Sequence, residues 1–342
     1  MNPFEKSKKP KRYDEIKEEI LAKIKKAASK VRYKNKLETA IRREKSRIVV
    51  AYEGIKRNLE RALSVLDAYE NAHVFYKELI NIIFKEEILK ETRENLKKCL
   101  YILAKIKDNY LKKIEKIKNP KDGTEIRRES LGRLLSVIRR KRKYLDVVVE
   151  LWRYAHKLPS IDFNEPIVVI AGPPNVGKSS LVNILSTAKS KVASYPFTTK
   201  EIHIGHMEAN HYRIQVVDTP GLLDRPLSER NEIELKAIVA LRHLPNLVVF
   251  MFDVSPSRYY DIEKQIKIFR DVKNLFHNKA CIVVVNKIDQ EEEDITNYLI
   301  NAGIEFFRTS LVNNIGVDSL KDAIIKSVQQ EYLKKIEGRS ES

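Results

Sequence analysis

The sequence has few cysteines and tryptophans and no long apolar segment. Its 342 residues contain two cysteines, Cys99 and Cys281, which lie far apart and offer neither a disulfide framework nor a cysteine-based metal site. The longest apolar runs, such as 247–252, are far shorter than the roughly 18 residues that a transmembrane helix requires. No apolar segment follows the charges at the N-terminus, which therefore does not resemble a signal peptide. We expect a soluble, cytoplasmic protein without stable membrane insertion.

Negative charge is scarce in one half of the chain only. Residues 1–160 contain 43 Lys and Arg but 23 Asp and Glu, whereas the remaining residues contain 22 and 24. The formal net charge of +18 is therefore carried by the N-terminal half. Because a solvated helical surface usually balances its charges, this excess favours a polyanionic partner, either RNA or an anionic membrane.

The two halves also differ in their hydrophobic pattern. Residues 14–157 carry apolar side chains at helical spacing, with a strong turn signal at 119–123, which predicts four long helices in an antiparallel bundle. From residue 161, short β-branched runs alternate with helical stretches, which predicts an α/β domain with a mostly parallel sheet. The predicted parts are a basic helical bundle at 1–157, a linker at 158–164, the α/β domain at 165–336 and a disordered tail at 337–342.

A phosphate-binding loop follows the first predicted strand of the α/β domain. The buried strand 167–171 leads into GPPNVGKS at 172–179, which has the pattern GxxxxGK[ST], and a helix is predicted from Ser180. Backbone N–H groups of such a loop bind phosphates, and the helix N-terminus adds positive potential. We expect Lys178 to reach the β- and γ-phosphates and the Ser179 hydroxyl to coordinate Mg²⁺.

Two further segments at strand ends predict a site for GTP. Asp218 of DTPG at 218–221 can hold Mg²⁺ through water, while the Gly221 N–H meets the γ-phosphate. NKID at 286–289 ends another strand, and the Asp289 carboxylate can accept hydrogen bonds from N1 and N2 of guanine. Adenine offers no such pair of donors, so these motifs predict GTP rather than ATP.

Two less specific segments stand in the expected order around these motifs. YPFTTK at 195–200 contains a threonine that could close on Mg²⁺ and the γ-phosphate; we assign Thr199, with Thr198 as the alternative. In the segment after Thr309, we expect a backbone N–H to donate a hydrogen bond to O6 of guanine. The predicted nucleotide-binding residues are Gly172, Pro173, Pro174, Asn175, Val176, Gly177, Lys178, Ser179, Ser180, Asp218, Thr219, Pro220, Gly221, Asn286, Lys287, Asp289, Ser310 and Leu311. The predicted metal ligands are Ser179, Thr199 and Asp218, and the predicted catalytic residues are Lys178, Thr199, Gly221 and Asn175.

Four segments are specific enough to indicate a family. They are LPSIDFNEPIVVIAGPPNVGKSSLVN at 158–183, YPFTTK at 195–200, QVVDTPGLLDRPLSERNEIE at 215–234 and NKID at 286–289. In these segments the chain resembles the Nog (nucleolar GTP-binding protein) branch of the Obg-type translation-factor GTPases. The resemblance implies a Ras-like P-loop GTPase domain behind a basic helical domain, with the large ribosomal subunit or its precursor as partner. Eukaryotic members carry a long C-terminal extension, so this shorter sequence is most similar to a compact archaeal form.

The residue after DTPG is not the glutamine with which many small GTPases orient the attacking water. Leu222 stands there and cannot polarise water, so we expect slow intrinsic hydrolysis. The resemblance implies a K⁺ ion beside Asn175 that would stabilise the transition state; alternatively, Asn175 only tolerates its loop conformation. Arg225 and Arg230 could enter the site, but arginines of flexible segments more often bind a partner or stay solvated.

Three basic clusters of the N-terminal half could bind the polyanion: residues 6–12, residues 42–47 and the run 139–143. A membrane would favour an exposed aromatic side chain opposite a basic face, whereas Trp152 lies on the predicted core stripe, so RNA is favoured. We predict a GTP-hydrolysing switch that acts in large ribosomal subunit assembly, with ribosomal proteins as further contacts. The alternatives are a nucleotide-gated protein-interaction module with negligible hydrolysis and a membrane-surface GTPase. The residues predicted to contact ribosomal RNA include Arg42, Arg43, Arg139, Arg140 and Lys141.

Overall fold

The structure is a computed structural model that describes residues 2–27, 35–187, 191–195, 201–209, 212–290 and 295–340. Contacts between Cα atoms divide the chain into two compact units. A helical unit comprises Pro3–Ala72 and Ile83–His156, and an α/β unit comprises Lys157–Ser342 together with Met1–Asn2 and His73–Ile82. The predicted fold class, a helical N-terminal part followed by a P-loop domain with a mostly parallel sheet, is confirmed.

Six helices of the described chain precede the first strand. They are α1 (Tyr13–Ala27), α2 (Lys36–Glu70), α3 (Val74–Asn81), α4 (Glu86–Glu115), α5 (Pro120–Arg140) and α6 (Arg142–Ala155). All except α3 form the helical unit, in which α2 packs against the other four. None of the described helices is both long and apolar enough to cross a membrane.

Two of the four predicted long helices are divided. The break in the third apolar stripe agrees with its sequence pattern, whereas the break in the fourth is not predicted by it. The third apolar stripe is divided between α3 and α4 at residues 82–85. The fourth is divided at Lys141, whose φ and ψ of −110° and 15° are not helical. The Lys141 ammonium donates to Asn95 Oδ1 on α4 at 2.8 Å. The basic run 139–143 therefore spans a junction between two helices and lies beside α4.

The buried carboxylate of Glu44 joins α2 to α5 and lies within the second basic cluster, residues 42–47. Glu44 is 4 % exposed and pairs with Arg47 at 2.5 Å and with Arg127 at 2.7 Å. A buried charge of this kind is tolerated only when it is paired, and loss of one partner is strongly destabilising. Arg47 is thus committed to the interior of the helical unit rather than to an external polyanion.

The α/β unit is built on one seven-stranded sheet in the order β2-β3-β4-β1-β5-β6-β7. β2 and β3 are antiparallel to their neighbours, and all other pairs are parallel. The parallel strands β1, β4, β5 and β6 end at one edge of the sheet, where α/β proteins bind ligands. The strands are β1 (Ile167–Ala171), β2 (Lys191–Ser194), β3 (Glu201–Ala209), β4 (Tyr212–Asp218), β5 (Leu247–Asp253), β6 (Ala280–Asn286) and β7 (Phe306–Thr309). The helices are α7 (Lys178–Leu185), α8 (Glu232–Ala240), α9 (Ile262–Leu275), α10 (Thr296–Asn301) and α11 (Val317–Ser340).

Helix α3 belongs to the α/β unit, although its apolar spacing predicts a place in the helical bundle. It packs against α8. Glu78 Oε1 accepts from Arg242 at 2.9 Å and lies 3.0 Å from His243 Nε2. The Tyr76 hydroxyl donates to the carbonyl oxygen of Pro159 at 2.9 Å, and the ring of His73 stacks on Phe163. Sequence periodicity identifies the apolar face of such a helix but not the element that covers it.

Candidate nucleotide-binding site

The loop between β1 and α7 has the backbone geometry of a phosphate-binding loop. Gly172, Asn175 and Gly177 adopt positive φ angles of 144°, 61° and 106°. A Cβ atom on Gly172 would lie 2.4 Å from the carbonyl oxygen of Met251, so only glycine fits there. α7 begins at Lys178, and its first N–H groups and its dipole favour an anion at this end.

Lys178 is buried inside this loop. Its ammonium donates to the carbonyl oxygens of Gly172 and Pro173 at 2.9 and 2.7 Å, and the residue is 6 % exposed. Burial lowers the pKa of Lys178, while the negative charges of Asp218 and Asp224 act in the opposite direction. A triphosphate bound in this loop would bring negative charge close to the buried ammonium of Lys178, as in other P-loop proteins.

Ser179 and Asp218 provide oxygen ligands that fit a magnesium ion. The Ser179 hydroxyl donates to Asp218 Oδ2 at 2.5 Å, and Asp218 is fully buried. The other oxygen, Oδ1, has no hydrogen-bond partner among the described residues. Burial also raises the pKa of the Asp218 carboxyl, because an isolated charge is unfavourable there. A hard divalent cation would satisfy both the free oxygen and the buried charge.

Arg230 holds the loop that follows β4. Its guanidinium donates to the carbonyl oxygens of Gly221 and Leu222 at 2.7 and 2.9 Å, and to Asp224 Oδ1 at 3.0 Å. The Arg230 side chain is 2 % exposed. The expectation that Arg230 is solvated or binds a partner is therefore wrong: it fixes the backbone around Gly221, whose φ is 73°. Arg225 instead pairs with Glu234 at 3.3 Å.

The opposite end of the site is organised by Asn286, which is buried. Its Nδ2 donates to the carbonyl oxygen of Val176 at 2.8 Å, and its Oδ1 accepts from the Thr309 hydroxyl at 3.0 Å. These two bonds connect the phosphate loop with the ends of β6 and β7. Lys287 has a left-handed φ of 67° and pairs with buried Asp253 at 2.6 Å.

Asp289 lies in an exposed turn at Ile288–Gln290, directly after β6. A hydrogen bond from the Ser310 hydroxyl lowers the pKa of the Asp289 carboxyl, so the carboxylate is charged at neutral pH. A charged acceptor in this place can bind a pair of N–H donors such as N1 and N2 of guanine. Leu311 comes within 3.1 Å of the position of a Cβ atom on Gly177, which brings the segment after β7 to the phosphate loop.

The phosphate end of the site is a cavity of about 420 Å³. It contains most of the predicted phosphate-loop residues and Gly221, so the structure brings these segments together. Asp224, which sequence reasoning did not single out, is the one carboxylate among the described residues that line the cavity. Thr199 and its alternative Thr198 lie outside the described residues. The lining residues are Pro174, Asn175, Gly177, Lys178, Ser179, Ser180, Pro220, Gly221 and Asp224.

Comparison with known proteins agrees with this geometry. Residues 4–162 match the family described as the NOG1 N-terminal helical domain, and residues 167–287 match the 50S ribosome-binding GTPase family. An uncharacterized protein of Methanocaldococcus jannaschii is 36% identical over 296 residues, which cover 86% of this chain and 83% of that protein. The chain belongs to the NOG1 family. The predicted resemblance to the Nog branch is thereby confirmed.

Eukaryotic members of the NOG1 family are longer than this chain. Nucleolar GTP-binding protein 1 of Caenorhabditis elegans is 32% identical over 272 residues, which cover 77% of this chain and 40% of that protein. A crystal structure of nucleolar GTP-binding protein 1 from Plasmodium falciparum is 34% identical, with a TM-score of 0.47, and covers 54% of this chain and 96% of that one. The chain thus spans less than half the length of the nematode relative.

Proposed function

We propose that this protein is a GTP-hydrolysing switch that acts in assembly of the large ribosomal subunit through an RNA-binding helical unit. The observation that carries the proposal is a cavity lined by Lys178 and by Ser179, whose hydroxyl donates to buried Asp218. Asn286 connects this phosphate loop to the segment that bears Asp289. The family description "50S ribosome-binding GTPase" supports the ribosome as the place of action.

In this proposal the chain's own residues bind and orient the triphosphate. Lys178 and the N–H groups of the phosphate loop neutralise the β- and γ-phosphates, and the Gly221 N–H faces the γ-phosphate. Thr199, which lies outside the described residues, would contact the same phosphate. Ser179 and Asp218 would hold Mg²⁺, which supplies charge neutralisation across the β- and γ-phosphates. Leu222 is fully buried and carries no group that could orient water, so intrinsic hydrolysis is slow unless another group takes over that role.

The proposal includes a K⁺ ion beside Asn175, which lines the phosphate cavity. Asparagine tolerates the left-handed backbone seen there, with φ of 61°, so conformation alone could also account for the residue. Turnover measured in matched KCl and NaCl separates the two explanations. K⁺ binding predicts faster hydrolysis in KCl, and equal rates would leave Asn175 with the conformational role only.

The junction of α5 and α6 is the proposed RNA-binding surface. Arg139, Arg140 and Arg142 are exposed, and none of the three has an ion-pair partner among the described residues. Arg42 of the second cluster is instead paired with Glu38 at 3.0 Å. Arginines without an ion-pair partner contribute more binding free energy to phosphate contacts than paired ones such as Arg42, because no ion pair has to be broken.

Co-sedimentation with purified large ribosomal subunits tests the proposal. The protein is incubated with a non-hydrolysable GTP analogue or with GDP, at two salt concentrations. We expect binding that depends on the analogue and falls steeply with salt, since binding to phosphates releases counterions. A double variant Arg139→Glu/Arg140→Glu should weaken binding and reduce the slope of log affinity against log salt by about 0.7–0.9 for each phosphate that the protein no longer neutralises.

The matched control is Lys17→Glu/Lys25→Glu, which makes the same change in net charge at two exposed residues of α1. Weakening by both double variants to the same extent would mean that net charge, not the α5–α6 junction, determines binding. If the protein bound the subunits neither with the GTP analogue nor with GDP, the mature large subunit would be excluded as the target. The assay would then be repeated with precursor RNA.

A further inference from the structure

The loop after β4 contains the carboxylate of Asp224, which lies where it could orient an attacking water. The side chain of Leu222 cannot perform that role. Leu222 is fully buried, so its side chain does not face the phosphate cavity. Two residues later, Asp224 lines that cavity together with Asn175, Lys178 and Gly221. The negative charge of Asp224 also acts on the buried ammonium of Lys178, which places the carboxylate in the electrostatic environment of the phosphates.

The Asp224 carboxylate is fixed through one oxygen and free at the other. Arg230 Nη2 donates to Oδ1 at 3.0 Å. Oδ2 has no hydrogen-bond partner among the described residues, and the Asp224 side chain remains 15 % exposed. Arg230 is itself immobilised by the carbonyl oxygens of Gly221 and Leu222. The orientation of the carboxylate therefore depends on the same guanidinium that holds the backbone of Gly221.

We propose that Asp224 is a catalytic residue that orients the attacking water for GTP hydrolysis, and that Arg230 is its positioning residue. This inference rests on the proposed GTPase function. The free oxygen of Asp224 accepts a hydrogen bond from water, which directs the water lone pair at the γ-phosphorus. The water oxygen forms a bond to that phosphorus while the bond to the β,γ-bridging oxygen breaks. The bonding electron pair leaves with GDP, and a water proton is transferred to an oxygen of the released phosphate.

A purely structural explanation of Asp224 makes a different prediction. If the carboxylate serves only to hold Arg230, its replacement should loosen the loop and lower nucleotide affinity and thermal stability together with the rate. Asp224→Asn separates the two roles, because the amide oxygen can still accept from Arg230 while the negative acceptor for water is lost. A misplacement of a reacting atom by about 1 Å can lower a rate about 100-fold.

The test compares single-turnover GTP hydrolysis, equilibrium affinity for a fluorescent GTP analogue, and Tm in the full-length protein. We expect Asp224→Asn to lower the hydrolysis rate by about 100-fold while affinity for the analogue changes less than threefold. Glu229→Gln is the matched control, because Glu229 belongs to the same segment, is exposed and pairs with Lys264 at 3.1 Å outside the cavity. That variant should hydrolyse GTP at the wild-type rate.

Two further variants test the assignment. Asp224→Ala should recover part of its hydrolysis rate when formate is added but not with chloride at equal ionic strength, since formate can replace the missing carboxylate. Arg230→Lys should lower the rate more than it lowers affinity.

A rate for Asp224→Asn within threefold of wild type, or losses of rate and affinity in equal proportion, would overturn the inference and leave the GTPase proposal intact. Wild-type protein that binds GTP without hydrolysing it would overturn both.

Discussion

Asn286 provides the sharpest test of how the site is held together, because one side chain joins three segments. Replacing Asn286 with alanine removes the bonds to the Val176 carbonyl and the Thr309 hydroxyl, at 2.8 and 3.0 Å. Loss of the bond to Val176 costs about 0.5–1.5 kcal/mol net, and the buried Thr309 hydroxyl is left unpaired at a cost of about 1–3 kcal/mol, which already includes the loss of its bond. We expect a total loss of roughly 2–4 kcal/mol in the free energy of unfolding of the α/β unit.

Calorimetry of the nucleotide-free protein measures this loss. A unit of 150–250 residues loses about 2–4 °C in Tm for each kcal/mol, so the variant should melt roughly 5–15 °C below wild type. Since the two units can unfold separately, the relevant transition is the one that GDP raises by binding to the folded state. The affinity for GDP should also fall, because the phosphate loop loses its attachment to β6.

Thr309→Val is the matched variant, since it removes only the second bond and keeps the volume of the side chain. Alone it should cost about 1–2 kcal/mol. In the Asn286→Ala background it should cost almost nothing, because its partner is already gone, which gives a coupling of about 1 kcal/mol or more. Additive effects of the two substitutions, or a fall in Tm of less than 2 °C for Asn286→Ala, would refute the reasoning.

Three further predictions concern single positions. Gly172→Ala should abolish measurable nucleotide binding, because its Cβ would meet a backbone carbonyl of β5 at 2.4 Å; equilibrium titration with a fluorescent nucleotide checks this. Leu222→Gln should not accelerate hydrolysis and should lower stability by about 1–3 kcal/mol through a buried, unpaired amide, as rate assays and urea unfolding would show. Burial raises the pKa of Glu19, but hydrogen bonds from Lys23 and Lys11 outweigh it and lower the pKa to about 2. The stability from Glu19 is therefore present above the unfolded value near 4.5 and is lost as pH falls through about 2. Glu19→Gln should accordingly cost up to about 1 kcal/mol at pH 7 in this partly solvated setting and little at pH 2, measured by urea unfolding at both pH values.

The parts of the site that sequence could predict are those in which a short contiguous segment determines its own geometry. The phosphate loop is the clearest case, because Gly172 and Gly177 adopt φ values that favour glycine, and the strand and helix around them show in the hydrophobic pattern. The change of pattern near residue 161 likewise separates helices from the α/β unit, because side-chain periodicity follows directly from local backbone geometry.

The parts that could not be predicted depend on which distant groups meet. Helix α3 looks like any amphipathic helix of the bundle, and only its packing against α8 assigns it to the α/β unit. Arg230 and Asp224 lie in a segment without regular periodicity, so nothing local indicates that the guanidinium turns inward to the carbonyl oxygens of 221 and 222. The break at Lys141 could not be predicted, because helical spacing of apolar residues continues on both sides of it.

The described segments of the site are fastened to one another, and this limits where GTP and GDP can be distinguished. The Gly172 N–H donates to the Leu223 carbonyl oxygen at 3.3 Å, and Arg230 fixes the rest of the same loop. Because little ordering of these segments has to accompany binding, little of the binding free energy is lost there. Discrimination must then come from groups that face the third phosphate. The Gly221 N–H is the group proposed to face that phosphate, and Arg230 fixes its backbone. A substitution of Arg230 should therefore reduce the preference for GTP over GDP more than it reduces affinity for GDP.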